Sequence, residues 1–168
     1  MPIRFPTCPP ALILAILLAS VRPVALHAAP NPVLSTVFPP GGQAGTTVEV
    51  TIAGSALVEV STLHCSQRGV TCEKVDGKAN AFTLTILKDT PVGQYDLYAV
   101  TKNGVSSPRA FVVGNRQEIL GTLPDKPEDL PQTVPLDVTI NGQIQKGDIN
   151  HFSFAARKGQ RVITECFA

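Results

Sequence analysis

Thiols, imidazoles and clustered acids are the side chains of this sequence that could do chemistry at neutral pH. Cys65 and Cys72 bracket the polar stretch 66–71, His64 stands beside the first of them, and Cys166 and His151 lie toward the end of the chain. In an oxidising compartment two cysteines this close can pair as a disulfide, whereas the same spacing in a reducing one would suggest a metal first. Zinc would need a fourth ligand at a usual spacing, which His64, Cys65 and Cys72 lack. Two unlinked buried thiols are the other reading of the pair. A disulfide here would close a short loop, and would constrain the unfolded chain by less than the roughly 3 kcal/mol expected for a loop of about 15 residues.

Catalysis needs such groups brought together beside a nucleophile or base, and no motif announces that. The sequence contains no G-x-S-x-G, H-E-x-x-H, G-x-x-x-x-G-K-[ST] or G-x-G-x-x-G. His151 alternates with Phe152 in a strand-like run, which predicts an exposed or packing imidazole rather than a general base. Cys166 falls in an apolar run with Glu165 on the opposite face, the pattern of a buried, unreactive thiol. Glu128 and Asp129 sit among prolines as solvating charge. The expectation is a chain that is not an enzyme and carries no cofactor.

The elements that must position these residues are short. The 168 residues include 15 Pro and 13 Gly, so long helices are disfavoured and many turns are expected. Fourteen Lys and Arg stand against thirteen Asp and Glu. That balance leaves no cationic excess for a phosphate backbone and excludes a nucleic-acid partner.

The N-terminus carries Arg4, then the uninterrupted apolar run 11–19, then Arg22-Pro23 and the small residues of VALHAAP. This is the order of a secretory signal peptide over residues 1–28, with cleavage after Ala28 or Ala29. The run is shorter than the roughly 20 residues needed to span a bilayer. Cys8 precedes it and is wrongly placed for a lipid anchor, and His27 would leave with it. Removal of 28 residues leaves 140, with 12 basic and 13 acidic side chains, and no second run of spanning length. A secreted, periplasmic or cell-surface chain is expected, off the membrane after cleavage.

From Val33 onward apolar residues alternate with polar ones, the two-residue period of half-buried strands. VLSTVF (33–38) leads into PPGGQAG (39–45), which cannot be helical. TTVEVTIAG (46–54) places Val48, Val50 and Ile52 on one face; AFTLTIL (81–87) does the same with Phe82, Leu84 and Ile86, and QYDLYAV (94–100) with Tyr95, Leu97 and Ala99. Asn103-Gly104 predicts a hairpin, and Pro108 makes the run after it an edge strand or a bulged one. Residues 115–134 lose all periodicity and are expected to be a linker. LDVTI, an Asn141-Gly142 turn, QIQ, INHFSFAA and RVITECFA then predict a second set of strands, too few to bury a core of their own.

Residues 30–114, with the proline-led strand, the P-x-G-G-x-x-G turn at 39–45 and the closing DTPVGQYDLYAVTKNGVSSPRAFVV, resemble an IPT/TIG immunoglobulin-like module. Residues 135–168, with the NG turn, GDINHFSF (147–154) and KGQRV, resemble the opening portion of a bacterial pre-peptidase C-terminal domain, here truncated. Both resemblances imply all-β folds: an immunoglobulin-like β-sandwich followed by an incomplete, jelly-roll-like sandwich. Some members of the second family bind calcium, which needs about six to eight oxygen ligands. The resemblance assigns Asp125, Asp148 and Asn150 to the corresponding positions, while Gly121 and Leu123 stand where carboxylates would be expected. Acids that solvate a linker and cap a turn are the other reading of those residues.

The function this implies is a non-catalytic extracellular module pair of a larger secreted bacterial protein, acting as spacer or adhesive surface toward an unknown protein or polysaccharide. The alternative is the accessory region of a secreted peptidase or other hydrolase. Contact surfaces would be a sheet edge near Pro108 or the loops 41–45 and 64–72, since loops on rigid sandwiches commonly carry function.

Overall fold

The computed structural model describes residues 1–3, 30–122 and 130–167. Residues 4–28 of the predicted signal segment, with Cys8, His27 and the cleavage bond, lie outside the described residues, as do Asp125, Glu128 and Asp129. No helix occurs among the described residues, so none is long and apolar enough to cross a membrane. The protein is all-β.

Nine strands build the first unit: β1 (Val33–Phe38), β2 (Gly41–Gln43), β3 (Thr47–Ser55), β4 (Thr62–Cys65), β5 (Val70–Lys74), β6 (Ala81–Ile86), β7 (Gly93–Thr101), β8 (Gly104–Val105) and β9 (Arg109–Gly114). One antiparallel sheet runs β1-β3-β6-β5 and the other runs β2-β9-β7-β4, with β8 continuing the line of β9 along β7. The alternation read from sequence sets the inward faces. Val50, Ile52, Phe82, Leu84 and Ile86 from the first sheet meet Leu63, Leu97, Ala99, Phe111 and Val113 from the second in one buried core. A β-sandwich follows, because each sheet has one apolar face to remove from water.

Several local expectations are refined. The chain changes sheet at Phe38-Pro39, a cis peptide, and residues 41–43, expected as a turn, form β2 parallel to β9. This close pairing explains two glycines. A Cβ on Gly41 would sit 2.6 Å from the Val112 carbonyl oxygen, and one on Gly42 would sit 2.5 Å from Ile86 Cδ1. The hairpin near Asn103 forms with Lys102 and Asn103 at its tip, since Thr101 pairs with Gly104. Pro108 breaks the strand rather than placing it on an edge: β9 is flanked by β7 and β2. The buried Ser106 spans the break, its Oγ accepting the Ala99 N–H at 2.9 Å and donating to the Ser107 carbonyl at 2.8 Å.

The C-terminal part departs further from expectation. The segment expected as a linker holds β10 (Gln117–Leu120) and β11 (Gln132–Thr133), followed by β12 (Val138–Asn141) and β13 (Phe152–Ser153). β10 pairs β12 and β11 pairs β13, both parallel. Gln132 ties the ladders together: its Oε1 accepts the Thr122 N–H at 2.8 Å and its Nε2 donates to the Leu120 carbonyl at 3.1 Å. Asn141-Gly142 is not a hairpin turn. Asn141 ends β12 as a buried residue, and 143–145 is exposed and unpaired, because β12 takes its partner from upstream instead. Residues 161–167 form no strand, and Cys166 is exposed rather than buried. After Gly114 only Val134 and Asn141 are buried among the described residues, as expected of a segment with too few strands for a core.

Candidate functional site

The residues that could do chemistry do not converge. Cys65 on β4 and Cys72 on β5 face the same core from opposite sheets, and both are free thiols. Burial pushes the Cys72 thiol up to about 12, with a smaller contribution from neighbouring Cys65. Burial also raises Cys65, against a lowering hydrogen bond from the Gln67 backbone, and Asp96 raises it further. His64 is exposed, opposite Tyr98 in the β4–β7 register, so imidazole and thiol leave the strand on different faces and cannot share a metal. Alkylation of the native protein is expected to modify the exposed Cys166 first, with Cys65 and Cys72 reacting only on unfolding, because reactivity follows exposure and thiolate content. Peptide mapping after a short pulse of iodoacetamide checks the order; a mass two hydrogens lower, with neither inner cysteine labelled after denaturation, would report the disulfide.

Asp148 and Asn150 lie together in the loop after β12. Asp148 Oδ2 accepts the Gln145 N–H at 3.2 Å and Asn150 Nδ2 donates to the Gln143 carbonyl at 3.3 Å, while Asn150 Oδ1 is buried without a partner. Three side-chain oxygens, one already closing a turn, fall short of the roughly six that calcium requires. Among the described residues no three His, Cys, Asp or Glu side chains gather around a point that could hold a metal. Asp148 and Asn150 therefore do not make a calcium site by themselves. His151 and Cys166 are both exposed, and neither lines the two hollows described below.

The feature that does bring polar groups together is a groove of about 610 Å³ between the sandwich and β10–β12, a size in the usual range for ligand sites. Phe38, residues 41–43 and the start of β3 form one wall; β10 and Asn141 form the other. The walls are tied where Gln43 Nε2 donates to the Asn115 carbonyl at 3.3 Å. One of the three contact surfaces expected from sequence, the loop 41–45, thus contributes; the Pro108 edge and the 64–72 loop do not. A second hollow, of about 720 Å³, lies beside Leu136 and residues 155–160 and is walled mainly by one exposed turn.

Glu118 and Asn141 form the groove's polar centre. Asn141 Nδ2 donates to Glu118 Oε2 at 2.5 Å across the parallel β10–β12 ladder. Burial raises the Glu118 carboxyl above the usual carboxylate range, and the Asn141 hydrogen bond offsets this only in part. A carboxyl raised in the folded state binds its proton more tightly there than in the unfolded chain. Its ionisation therefore costs stability as pH rises through the folded value, and that cost is absent below the ordinary glutamate value of about 4.3. Glu118→Gln keeps an acceptor for Asn141 and removes the charge. Its melting temperature is expected to exceed that of the parent at pH 7 and to converge with it below pH ~4; melting curves across that range check the sign.

Glu49, on the opposite wall, is paired with Lys78 at the groove's margin. Sequence reasoning singled out neither Glu118 nor Gln43 nor Gln117. Asn141-Gly142 carries a turn signal, and a polar residue closing the apolar run LDVTI is the one local clue to its place here.

No protein-family model and no curated protein sequence matches the chain. Among solved structures, one similar chain is the Bacteroides ovatus mixed-linkage glucan utilization locus SGBP-B in complex with mixed-linkage heptasaccharide, at TM-score 0.40 and 15% identity. Another is gamma-CGTase from Alkalophilic bacillus clarkii, at TM-score 0.38 and 19% identity. The matches cover 65% and 60% of this chain but only 26% and 15% of those proteins. Likenesses this weak do not bear on what the chain binds.

Proposed function

We propose that this chain is a non-catalytic extracellular β-sandwich module pair of a secreted bacterial protein, and that it binds its partner in the groove between the sandwich and β10–β12. The observation that carries this reading is the joint construction of the groove: Gln43 and Phe38 come from the first module, Gln117, Glu118 and Asn141 from the segment after it. A spacer alone has no need of such a recess. The charged-then-apolar N-terminus supports export, and the IPT/TIG and pre-peptidase C-terminal resemblances support a modular secreted protein.

The test is retention of the chain on a panel of insoluble polysaccharides and immobilised extracellular proteins, with Gln117→Ala as the probe of the groove. Gln117 is exposed, so its truncation should leave the melting temperature within about 1 °C, as surface changes usually cost less than about 0.5 kcal/mol. At least one surface is expected to retain the parent chain, to lose most of the retention with the variant, and to be recovered chemically intact. Retention unaffected by the variant would overturn the groove as the site; cleavage of the bound surface would overturn the non-catalytic reading.

A further inference from the structure

The proposal rests on the groove being a binding site, as argued above, and concerns what fills it. We infer that the groove takes a neutral polyhydroxylated chain, a glycan, held between amide and carboxylate side chains of its two walls with an apolar ring face against Phe38.

The lining is specific in kind. Gln43, Gln117 and Asn141 supply planar amides, each offering a donor and an acceptor side by side, and Glu118 supplies a planar pair of acceptors. Planar groups of this type match the spacing of neighbouring hydroxyls, which both donate and accept. Within the groove one oxygen of Glu118 is committed to Asn141, and among the described residues its Oε1 is left to receive a hydroxyl proton. Gln43 spends its Nε2 on Asn115 and keeps its carbonyl oxygen. The threonines at this site turn mostly inward on the protein: Thr46 Oγ1 donates to the Gln43 backbone carbonyl at 2.7 Å and Thr51 Oγ1 to the Phe38 backbone carbonyl at 3.3 Å. They stiffen the wall and leave recognition to the amides.

Charge removes the competitors. Among the described residues no Lys or Arg lines the groove, and both ionisable groups that do are acids. Phosphate, sulfate and uronate ligands would meet these acids, and Lys78 at the margin is already committed to Glu49. A basic peptide would be drawn by carboxylates, but Glu49 is already paired with Lys78, and Glu118 is half-buried beside an amide that occupies one of its oxygens. A single remaining carboxylate oxygen is a weak anchor for a cationic chain and a sufficient acceptor for a hydroxyl. The half-buried Phe38 then gives the C–H face of a sugar ring an apolar surface, so that burial supplies affinity while the amides supply orientation.

Isothermal titration of the full chain with cellohexaose, xylohexaose, maltohexaose and chitohexaose, with hexagalacturonate and with hexalysine, tests this. At least one neutral hexasaccharide is expected to bind, at least tenfold more weakly to Gln117→Ala and to Gln43→Ala, while hexagalacturonate does not bind. Circular dichroism melting keeps loss of fold separate from loss of contact, and Gln117→Ala carries the test should Gln43→Ala disturb β2. Hexalysine binding that is lost in the variants, without sugar binding, would overturn the ligand class and leave the groove as the site. Sugar binding indifferent to both variants would overturn the groove itself. No heat from any neutral sugar at millimolar concentration would overturn the glycan assignment.

Discussion

Phe111→Ala is expected to lower the unfolding free energy by about 3–5 kcal/mol, the usual cost of deleting a fully buried phenyl ring. Phe111 is 0% exposed on β9, opposite Tyr95 of β7, and its ring reaches toward Gly42 of β2. It therefore fills space where the parallel β2–β9 pair and the antiparallel β7–β9 pair meet the opposing sheet, and neither neighbour can collapse into the void without breaking its ladder. A typical domain has about 5–15 kcal/mol of total stability, so the loss would bring the sandwich near its threshold. Denaturant unfolding checks it: the midpoint should fall while the slope stays constant. Phe154→Ala is the control, since Phe154 is 45% exposed after β13 and its loss should cost less than about 0.5 kcal/mol. Equal effects from the two would mean that Phe111 is not part of a packed core.

Gly54→Ala is expected to destabilise by about 1–3 kcal/mol or more, against the small gain that glycine replacement in extended chain often brings. Gly54 faces Leu34 where β3 pairs with β1, beside the irregularity between Leu34 and Thr36. A Cβ there would lie 1.9 Å from the Val33 carbonyl oxygen and 3.0 Å from Leu57 Cδ1. The first of these is a backbone atom and has no rotamer to escape into, so β1 must move away from β3. Hydrogen exchange should then accelerate in β1 and the facing half of β3 before it does in β6 and β7. Gly114→Ala is the comparison: its nearest neighbour would be Glu118 Oε1 at 3.6 Å, ordinary contact, and it should be close to neutral. A stable Gly54→Ala protein with unchanged exchange in β1 would contradict the close approach of the two strands.

The two changes probe interactions of different legibility. That Phe82, Leu84 and Ile86 point inward can be read from their alternation with threonines, because a strand sends successive side chains to opposite faces and only one face is dry. β4 and β5 escaped that reading. TLHC and VTCEK are short and interrupted by polar residues, and each becomes a strand only because a longer neighbour, β7 or β6, offers its free edge. The same holds with greater force for β10: four residues among prolines carry no period, and the strand exists because β12 supplies hydrogen-bond partners some 20 residues later. The exposed ion pair between Arg116 and Asp137 flanks this ladder and adds little, as such pairs typically contribute about 0–1 kcal/mol.

Alternating polarity and turn chemistry by themselves determined that the described chain is all-β, since these depend on which side chains avoid water and which backbone angles each residue tolerates; a two-layer sandwich for the first unit is implied only by the immunoglobulin-like resemblance of residues 30–114, and the tertiary structure shows it. Only the tertiary structure decided where a ligand could sit. Gln43 and Asn115 are 72 residues apart, Glu118 and Asn141 are 23 apart, and no local pattern links them. Their meeting depends on parallel pairings, β2 with β9 and β10 with β12, whose partners are distant in sequence.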